Sequence, residues 1–277
     1  MAATSIYDRS FLLLSLLFIV TSSAAGEAEN NKHSVPKPIG SHCYTNPKFN
    51  ASNDFNLRKN VDQVVNLAVK HTRYSSYVNV TVGEDSDNPI YALAQCRRDV
   101  NASECFTCIT NAAQAIVETC RYQPDARVWY DHCFLRYDTE NFVQQLDVGL
   151  YVHHETPQLV PSTMTNFSDV LYQCFINDIG NLLVKHESRG FAKASRQIDD
   201  SYTVNGITQC TQDIDPDECF LAMTAGVQSF DKYCRNRNGC VVATSSCYVK
   251  YEVHPSYSPY KTNAKGARKL LSSHGSP

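Results

Sequence analysis

Twelve cysteines carry the densest chemistry in this 277-residue chain. Their sharpest cluster reads Cys96-Arg-Arg-Asp-Val-Asn-Ala-Ser-Glu-Cys105-Phe-Thr-Cys108, which is cysteine, eight residues, cysteine, two residues, cysteine. Thiols so spaced either oxidise in pairs or, as thiolates, hold a metal. A zinc site needs two close Cys/His pairs facing each other. Cys105 and Cys108 supply one, and no second pair completes four ligands. The pattern also recurs. Cys210 and Cys219 stand 114 residues after Cys96 and Cys105, with the same gap and the same Glu-Cys-Phe ending. The same shift carries Cys120 to Cys234 and Cys133 to Cys247. Four cysteines returning at one offset mark an internal duplication. An even count in an exported chain reads as a disulfide framework, so all twelve are expected in pairs, with no metal and no cofactor.

Other reactive groups are sparse. Asn50, Asn79, Asn101 and Asn166 each open an Asn-X-Ser/Thr sequon and are candidate glycan acceptors. An enzyme is not indicated. A nucleophile needs a base within hydrogen-bond reach. With every cysteine paired no thiol is free, no Gly-X-Ser-X-Gly elbow occurs, and the densest histidine pair, His153-His154, lies in a proline-containing linker.

The elements that must position these groups begin with an export signal. Arg9 precedes the apolar run Phe11–Val20, and the small residues Ser23 and Ala25 suit cleavage after Ala25. That run is shorter than the roughly 20 residues a bilayer requires. No later stretch is long and apolar enough to span, so the mature chain is expected to be soluble and without a membrane anchor. Losing residues 1–25 removes Asp8 and Arg9 and leaves the formal charge at -3. A near-neutral chain argues against nucleic acid as a partner.

Two like halves suggest two small domains. The expected boundaries are a signal peptide at 1–25, a flexible arm at 26–40, a first domain at 41–150, a second at 151–254, and a disordered tail at 255–277. Leu57, Val61, Val64, Val65 and Ala68 recur at helical spacing within a helix from Phe55 to Thr72, which Asn53 or Asp54 is placed to cap. Tyr77–Val82 and Ile90–Cys96 read as strands around an acidic turn. A second helix is expected to begin near Cys105. Arg127–Tyr137 reads as a strand holding the single tryptophan, Trp129, taken as core, and Asn141–Val152 as a further strand. The second half is expected to repeat this order: a helix over Phe167–Glu187, strands around Ser201–Cys210, a helix over Asp217–Cys234 opened by the cap Asp215 and Pro216, and strands over Val241–Val253. The fold class is α+β: tandem small domains, each with two helices packed on an antiparallel sheet of about five strands, stabilised by disulfides.

Cys43, the Cys96/Cys105/Cys108 signature, Cys120 and Cys133-Phe-Leu-Arg-Tyr137, repeated in tandem behind a signal segment, resemble the plant cysteine-rich repeat secretory proteins. Their domain is the ginkbilobin-like, or salt-stress/antifungal, domain, and the resemblance covers about residues 41–253. It implies bridges Cys43–Cys120, Cys96–Cys105 and Cys108–Cys133, where the sequence alone leaves fifteen pairings of six cysteines. The second half departs from the pattern. Ala222 and Pro157 stand where partners of Cys247 and Cys234 belong, and Cys174 and Cys240 are added. Cys210–Cys219 is expected there, with Cys174–Cys234 and Cys240–Cys247 as the re-paired bridges.

In ginkbilobin-like lectins mannose is held by an Asn after the first cysteine, an Arg six residues before the last, and an acid five residues after it. Here those positions are Tyr44, Arg127 and Asp138. The implied carbohydrate site sets Arg127 on a strand edge with its donors free. In the second half Phe175, Val241 and Glu252 replace the set, and the valine removes the cation. The resemblance implies a secreted, non-enzymatic protein of the apoplast, related to stress or defence, binding mannose-type or wall carbohydrate through the first domain. The alternative is an extracellular protein-interaction module acting with receptor kinases or wall proteins, since the same domain forms the outer part of certain plant receptor kinases and plasmodesmal proteins.

Overall fold

Helical and alternating apolar spacing sort the chain into two halves that repeat one another. The computed structural model describes residues 36–44, 55–85, 89–120 and 122–256. The signal segment 1–25, arm residues 26–35, Asn50, the capping positions Asn53 and Asp54, part of the acidic turn (86–88) and the tail 257–277 lie outside the described residues. Both halves belong to one compact unit beginning at Pro36.

In the first half β1 is Gly40–Cys43, α1 Phe55–His71, β2 Tyr77–Val82, β3 Ile90–Cys96, α2 Ala102–Cys120, β4 Asp125–Trp129 and β5 Cys133–Asp138. Helix α1 buries Leu57, Val61, Val64, Val65 and Ala68, the stripe its spacing predicts. Helix α2 begins at Ala102, just before Cys105, because Asn101, the counterpart of Asp215 at the 114-residue shift, caps it. The Asn101 Oδ1 accepts the Glu104 N–H at 2.9 Å, and the Asn101 N–H donates back to Glu104 Oε2 at 3.3 Å.

In the second half β6 is Val152–Glu155, α3 Phe167–Gln173, α4 Gly180–Leu183, β7 Phe191–Asp199, β8 Tyr202–Cys210, α5 Pro216–Gln228, α6 Phe230–Tyr233, β9 Gly239–Ala243 and β10 Cys247–Pro255. Asp215 and Glu218 close a capping box on α5, with Pro216 at its start. The sheet orders are β1-β4-β5-β3-β2 and β6-β9-β10-β8-β7, antiparallel throughout. Position for position they are the same sheet. Each packs its helices on one face around a separate core.

Four expectations give way. Arg127–Tyr137 is a hairpin, because the Tyr130 N–H donates to the Cys133 carbonyl at 2.8 Å and turns the chain between β4 and β5. The stretch Asn141–Tyr151 holds no strand. Strand β7 is additional to the expected order: it is an edge strand whose exposed charges blur the alternation. The helix expected over Phe167–Glu187 is interrupted by a π-helical turn, Cys174–Ile179. There it rides against Gly206 of β8, where an added Cβ would lie 2.9 Å from Ile179 Cδ1.

The first half closes Cys43–Cys120, Cys96–Cys105 and Cys108–Cys133, and the second closes Cys210–Cys219. Two expected bridges are corrected. Neither Cys174–Cys234 nor Cys240–Cys247 forms. Cys234 pairs with Cys240, six residues on, because Arg235 and Asn236 take left-handed φ of 43° and 57° and turn α6 straight into β9. Cys174 instead faces β8 at Gly206. Cys174 and Cys247 are therefore free and buried, and the expectation of full pairing fails.

Candidate functional site

Strand β4 reads Asp-Ala-Arg-Val-Trp and β5 reads Cys-Phe-Leu-Arg-Tyr-Asp. Alternation sends Ala126, Val128, Leu135 and Tyr137 to the helix side, where all four are fully buried. It sends Asp125, Arg127, Trp129, Phe134, Arg136 and Asp138 to the other face. In register Arg127 stands opposite Arg136, and Asp125 opposite Asp138. That face meets the second half.

The structure puts Arg127 in this seam and not at an exposed edge. Strand β4 lies between β1 and β5, and Arg127 is only 9% exposed. Its fork is engaged on every side. Nε and Nη2 donate to Asp125 at 3.0 and 2.6 Å, and Nη1 donates to Asp147 Oδ2 at 2.6 Å and to the Ser245 hydroxyl of the second half at 2.5 Å. Asp138 pairs with Arg136 Nη2 at 2.8 Å and accepts the Glu140 N–H at 3.0 Å. Arg136 also reaches Asp147 at 3.2 Å and lies 3.9 Å over the Phe142 ring. Tyr44 remains 54% exposed beyond β1, its N–H on the Asp125 carbonyl at 2.9 Å. Arg127 and Asp138 thus offer no free fork and carboxylate side by side.

Around this charge cluster the halves exchange bonds that repeat at the 114-residue shift. Gln95 Oε1 accepts the Gln212 N–H at 2.9 Å, and its counterpart Gln209 accepts the Arg98 N–H at 3.1 Å. Gln95 Nε2 also donates to the Cys210 carbonyl at 2.8 Å. Arg98 holds the Glu187 and Ser188 carbonyls, and Lys193 pairs with Asp99. Asp131 accepts from Tyr248 at 2.5 Å and from Lys250 at 3.1 Å. Trp129 lies in the seam and not in the first core. Its ring stacks on Phe134 at 5.2 Å and its Nε1 donates to the Thr244 carbonyl at 2.8 Å. Strands β1 and β6 meet at the edge, where a Cβ on Gly40 would lie 2.7 Å from Val152 Cγ1.

A family description, salt stress response/antifungal, matches residues 42–140 and again 161–254. The chain belongs to this family. Cysteine-rich repeat secretory protein 55 of Arabidopsis thaliana is 35% identical over 78% of this chain and 82% of its own length. The antimicrobial ginkbilobin-2-like protein of Castanea crenata is 24% identical over 89% of this chain and 95% of its own length. The crystal structure of the tandem DUF26 ectodomain of the cysteine-rich receptor-like protein PDLP8 from Arabidopsis thaliana aligns with a TM-score of 0.63 at 23% identity. It covers 78% of this chain and 97% of that one, and shows the tandem fold.

Within this family member the seam residues were the ones sequence reasoning passed over. Gln95 and Gln209 precede the signature cysteine in both copies and are 4% and 6% exposed. A polar residue at the same place in two copies, next to a core cysteine, was the available signal. Ser245 and Asp147 had none, since both lie outside the strands and helices.

The seam also titrates. Burial alone would raise Asp147, but Arg127 and Arg136 outweigh it and hold the carboxyl below its ordinary 3.8. Asp131, beside Tyr248 and Lys250, and Asp99, beside Arg97 and Lys193, are likewise depressed against the effect of burial. A depressed carboxyl contributes stability above its unfolded pKa and loses it as pH falls through the folded value. Asp138 is the exception: burial raises it, so its ionised form costs stability. Three against one, the melting temperature is expected to hold from pH 7 to pH 5 and to fall below about pH 4. A melting temperature unchanged between pH 5 and pH 3 would contradict this assignment.

Proposed function

We propose that the protein is a secreted, non-enzymatic recognition module of the extracellular space that engages protein partners as one tandem body. The observation that supports this is the engagement of Arg127. In a lectin reading its fork faces sugar hydroxyls; here every nitrogen of the fork donates to Asp125, Asp147 or Ser245. Freeing it for a ligand would leave carboxylates in the seam without their cation, at a cost of several kcal/mol per buried ion. The likeness to a receptor-like protein's ectodomain supports the same reading, and the secretory relative supports export. Mature protein is expected to begin near Gly26. Asn79 on the edge strand β2, Asn101 and Asn166 are exposed and, with Asn50, are the proposed glycan acceptors.

A second reading keeps a saccharide but moves it. A cleft of about 340 Å³ lies between Lys37–Ile39 and the second sheet, lined in part by Asp131, His154, Lys250 and Glu252. Lys250 pairs with Asp131 and Glu252 at 3.1 Å each, but these two carboxylates stay partly exposed and keep acceptor positions that sugar hydroxyls can use.

The oxidised, glycosylated full chain separates these readings when passed over immobilised mannan and over a panel of tandem DUF26 ectodomains. The interaction reading expects retention by at least one ectodomain and none by mannan. Mannan retention lost in Lys250→Ala supports the cleft. Mannan retention lost in Arg127→Ala, with the melting temperature unchanged, would restore the original site and overturn the proposal.

A further inference from the structure

In the first half four cysteines stand side by side. Cys96 faces Cys133 across β3 and β5, and each is drawn off to α2, to Cys105 and Cys108. The second half keeps three of these four positions. Cys210 faces Cys247 across β8 and β10, and Cys210 is bonded to Cys219 on α5, but Ala222 stands in the place of Cys108. Cys247 is left as a free thiol with its Sγ 3.0 Å from the Sγ of Cys210. The Thr211 N–H donates to the Ser246 carbonyl, so the next pair along the ladder, Cys210 and Cys247, is a non-hydrogen-bonded one. Side chains approach most closely at such pairs, within the Cα separation a disulfide spans.

We infer that Cys210, Cys219 and Cys247 form a thiol–disulfide exchange site in which one disulfide is shared between two positions. Cys247, as thiolate, attacks the Sγ of Cys210. The Cys210–Cys247 bond forms, the Cys210–Cys219 bond breaks, and Cys219 leaves as thiolate and takes up the proton that Cys247 released. One thiol and one disulfide enter and leave, so no oxidant or reductant is consumed. Burial pushes the Cys247 thiol up, so attack waits on local opening at this end of the sheet.

The exchange has two consequences. The Cys210–Cys219 bridge closes a loop that reaches into the seam. Within it the Gln212 N–H holds Gln95, and Asp213 Oδ2 accepts the Gln144 N–H at 2.9 Å. Moving the bond to Cys247 unties α5 from β8 and loosens that clasp. It also frees Cys219, which lines a cleft of about 310 Å³ with Lys185, His186 and Arg189. Lys185 and Arg189 there favour a thiolate and Asp215, Asp217 and Glu218 oppose it, so the exchange replaces a thiol enclosed between two strands by one at the wall of a cleft.

Disulfide mapping of the full chain tests this. Oxidised wild-type protein is held at neutral pH for hours, alkylated without reduction, digested in acid and read by mass spectrometry. The expected result is a Cys210–Cys247 linkage that grows with time in step with alkylated Cys219. In Ala222→Cys the new thiol is expected to bond Cys247, and alkylation at Cys219 to vanish. In Cys219→Ser, Cys210 and Cys247 are expected to pair, leaving Cys174 alone to be alkylated after denaturation. No Cys210–Cys247 linkage in the wild type at any time overturns the proposal, and so does alkylation of Cys174, Cys210 and Cys247 together in Cys219→Ser. If the serine variant fails to fold, the wild-type time course decides alone.

Discussion

Replacing Cys43 and Cys120 together by serine is expected to lower stability by about 4–5 kcal/mol, from the entropy the cross-link removes from the unfolded chain. The bridge spans 77 residues, whereas Cys96–Cys105 and Cys210–Cys219 each span 9. The shorter bridges are worth about 2–3 kcal/mol on the same argument. The longer one also has a structural role. It ties the edge strand β1 to the end of α2, and β1 is the strand whose Gly40 meets Val152 of the second half. Without it β1 keeps its ladder to β4 and its contact with β6 but loses its covalent tie to α2, and that side of the seam loosens. For a chain of this size the melting temperature is expected to drop by roughly 10 °C or more. The comparison to run is the double serine variant at 43 and 120 against that at 96 and 105. An equal loss in the two would show that neither loop length nor the β1 contact matters.

Arg127→Ala is expected to cost about 3 kcal/mol, the low end for breaking a buried ion pair, because Asp147 keeps 27% of its side-chain exposure. The pair itself is not strong evidence of net stabilisation, since both charges were desolvated to form it. The loss comes from what alanine leaves behind. Asp125 loses both of its hydrogen bonds from the Arg127 fork, the Ser245 hydroxyl loses its donor, and Arg136 is the one cation left on Asp147. Arg127→Lys keeps the charge but cannot span Asp125 and Asp147 with one planar fork, so a smaller loss is expected. The check is urea unfolding of the three proteins. If Arg127→Ala unfolds at the wild-type midpoint, the arginine is not a tie.

Much of the fold was legible because duplication and periodicity are local signals. The 114-residue shift located both copies, and the stripe on α1 and the cap at Asp215 fell where their residue types placed them. The misses share a cause. A hairpin was read as one strand because Tyr130-Asp131-His132 carries no glycine or proline. Strand β7 was missed because charges on an exposed edge hide the alternation. The bridges of the second half were misassigned because pairing depends on which cysteines the sheet brings together. Cys234 and Cys240 meet only because Arg235 and Asn236 reverse the chain. The engagement of Arg127 was hidden for a related reason. Tyr44, Arg127 and Asp138 match a spacing, but spacing does not say that a second sheet covers the face on which Arg127 and Asp138 point. Once 127–137 is divided into β4 and β5, the alternation of the two strands puts Arg, Asp and Trp together on that face, a mixture suited to a polar contact between two folded bodies.

The single tryptophan offers the most direct measurement of that contact, because Trp129 is buried in the seam with its Nε1 on the Thr244 carbonyl of the second half. Thermal melts of the full chain followed by Trp129 emission and by far-ultraviolet circular dichroism are compared for wild type and Arg127→Ala. In the wild type the two signals are expected to change together, in one transition. In the variant the emission is expected to shift red at temperatures where the helices and sheets are still intact, because the seam opens before the halves unfold. Superimposable emission curves for the two proteins would contradict the assignment of Arg127 as the tie between the halves.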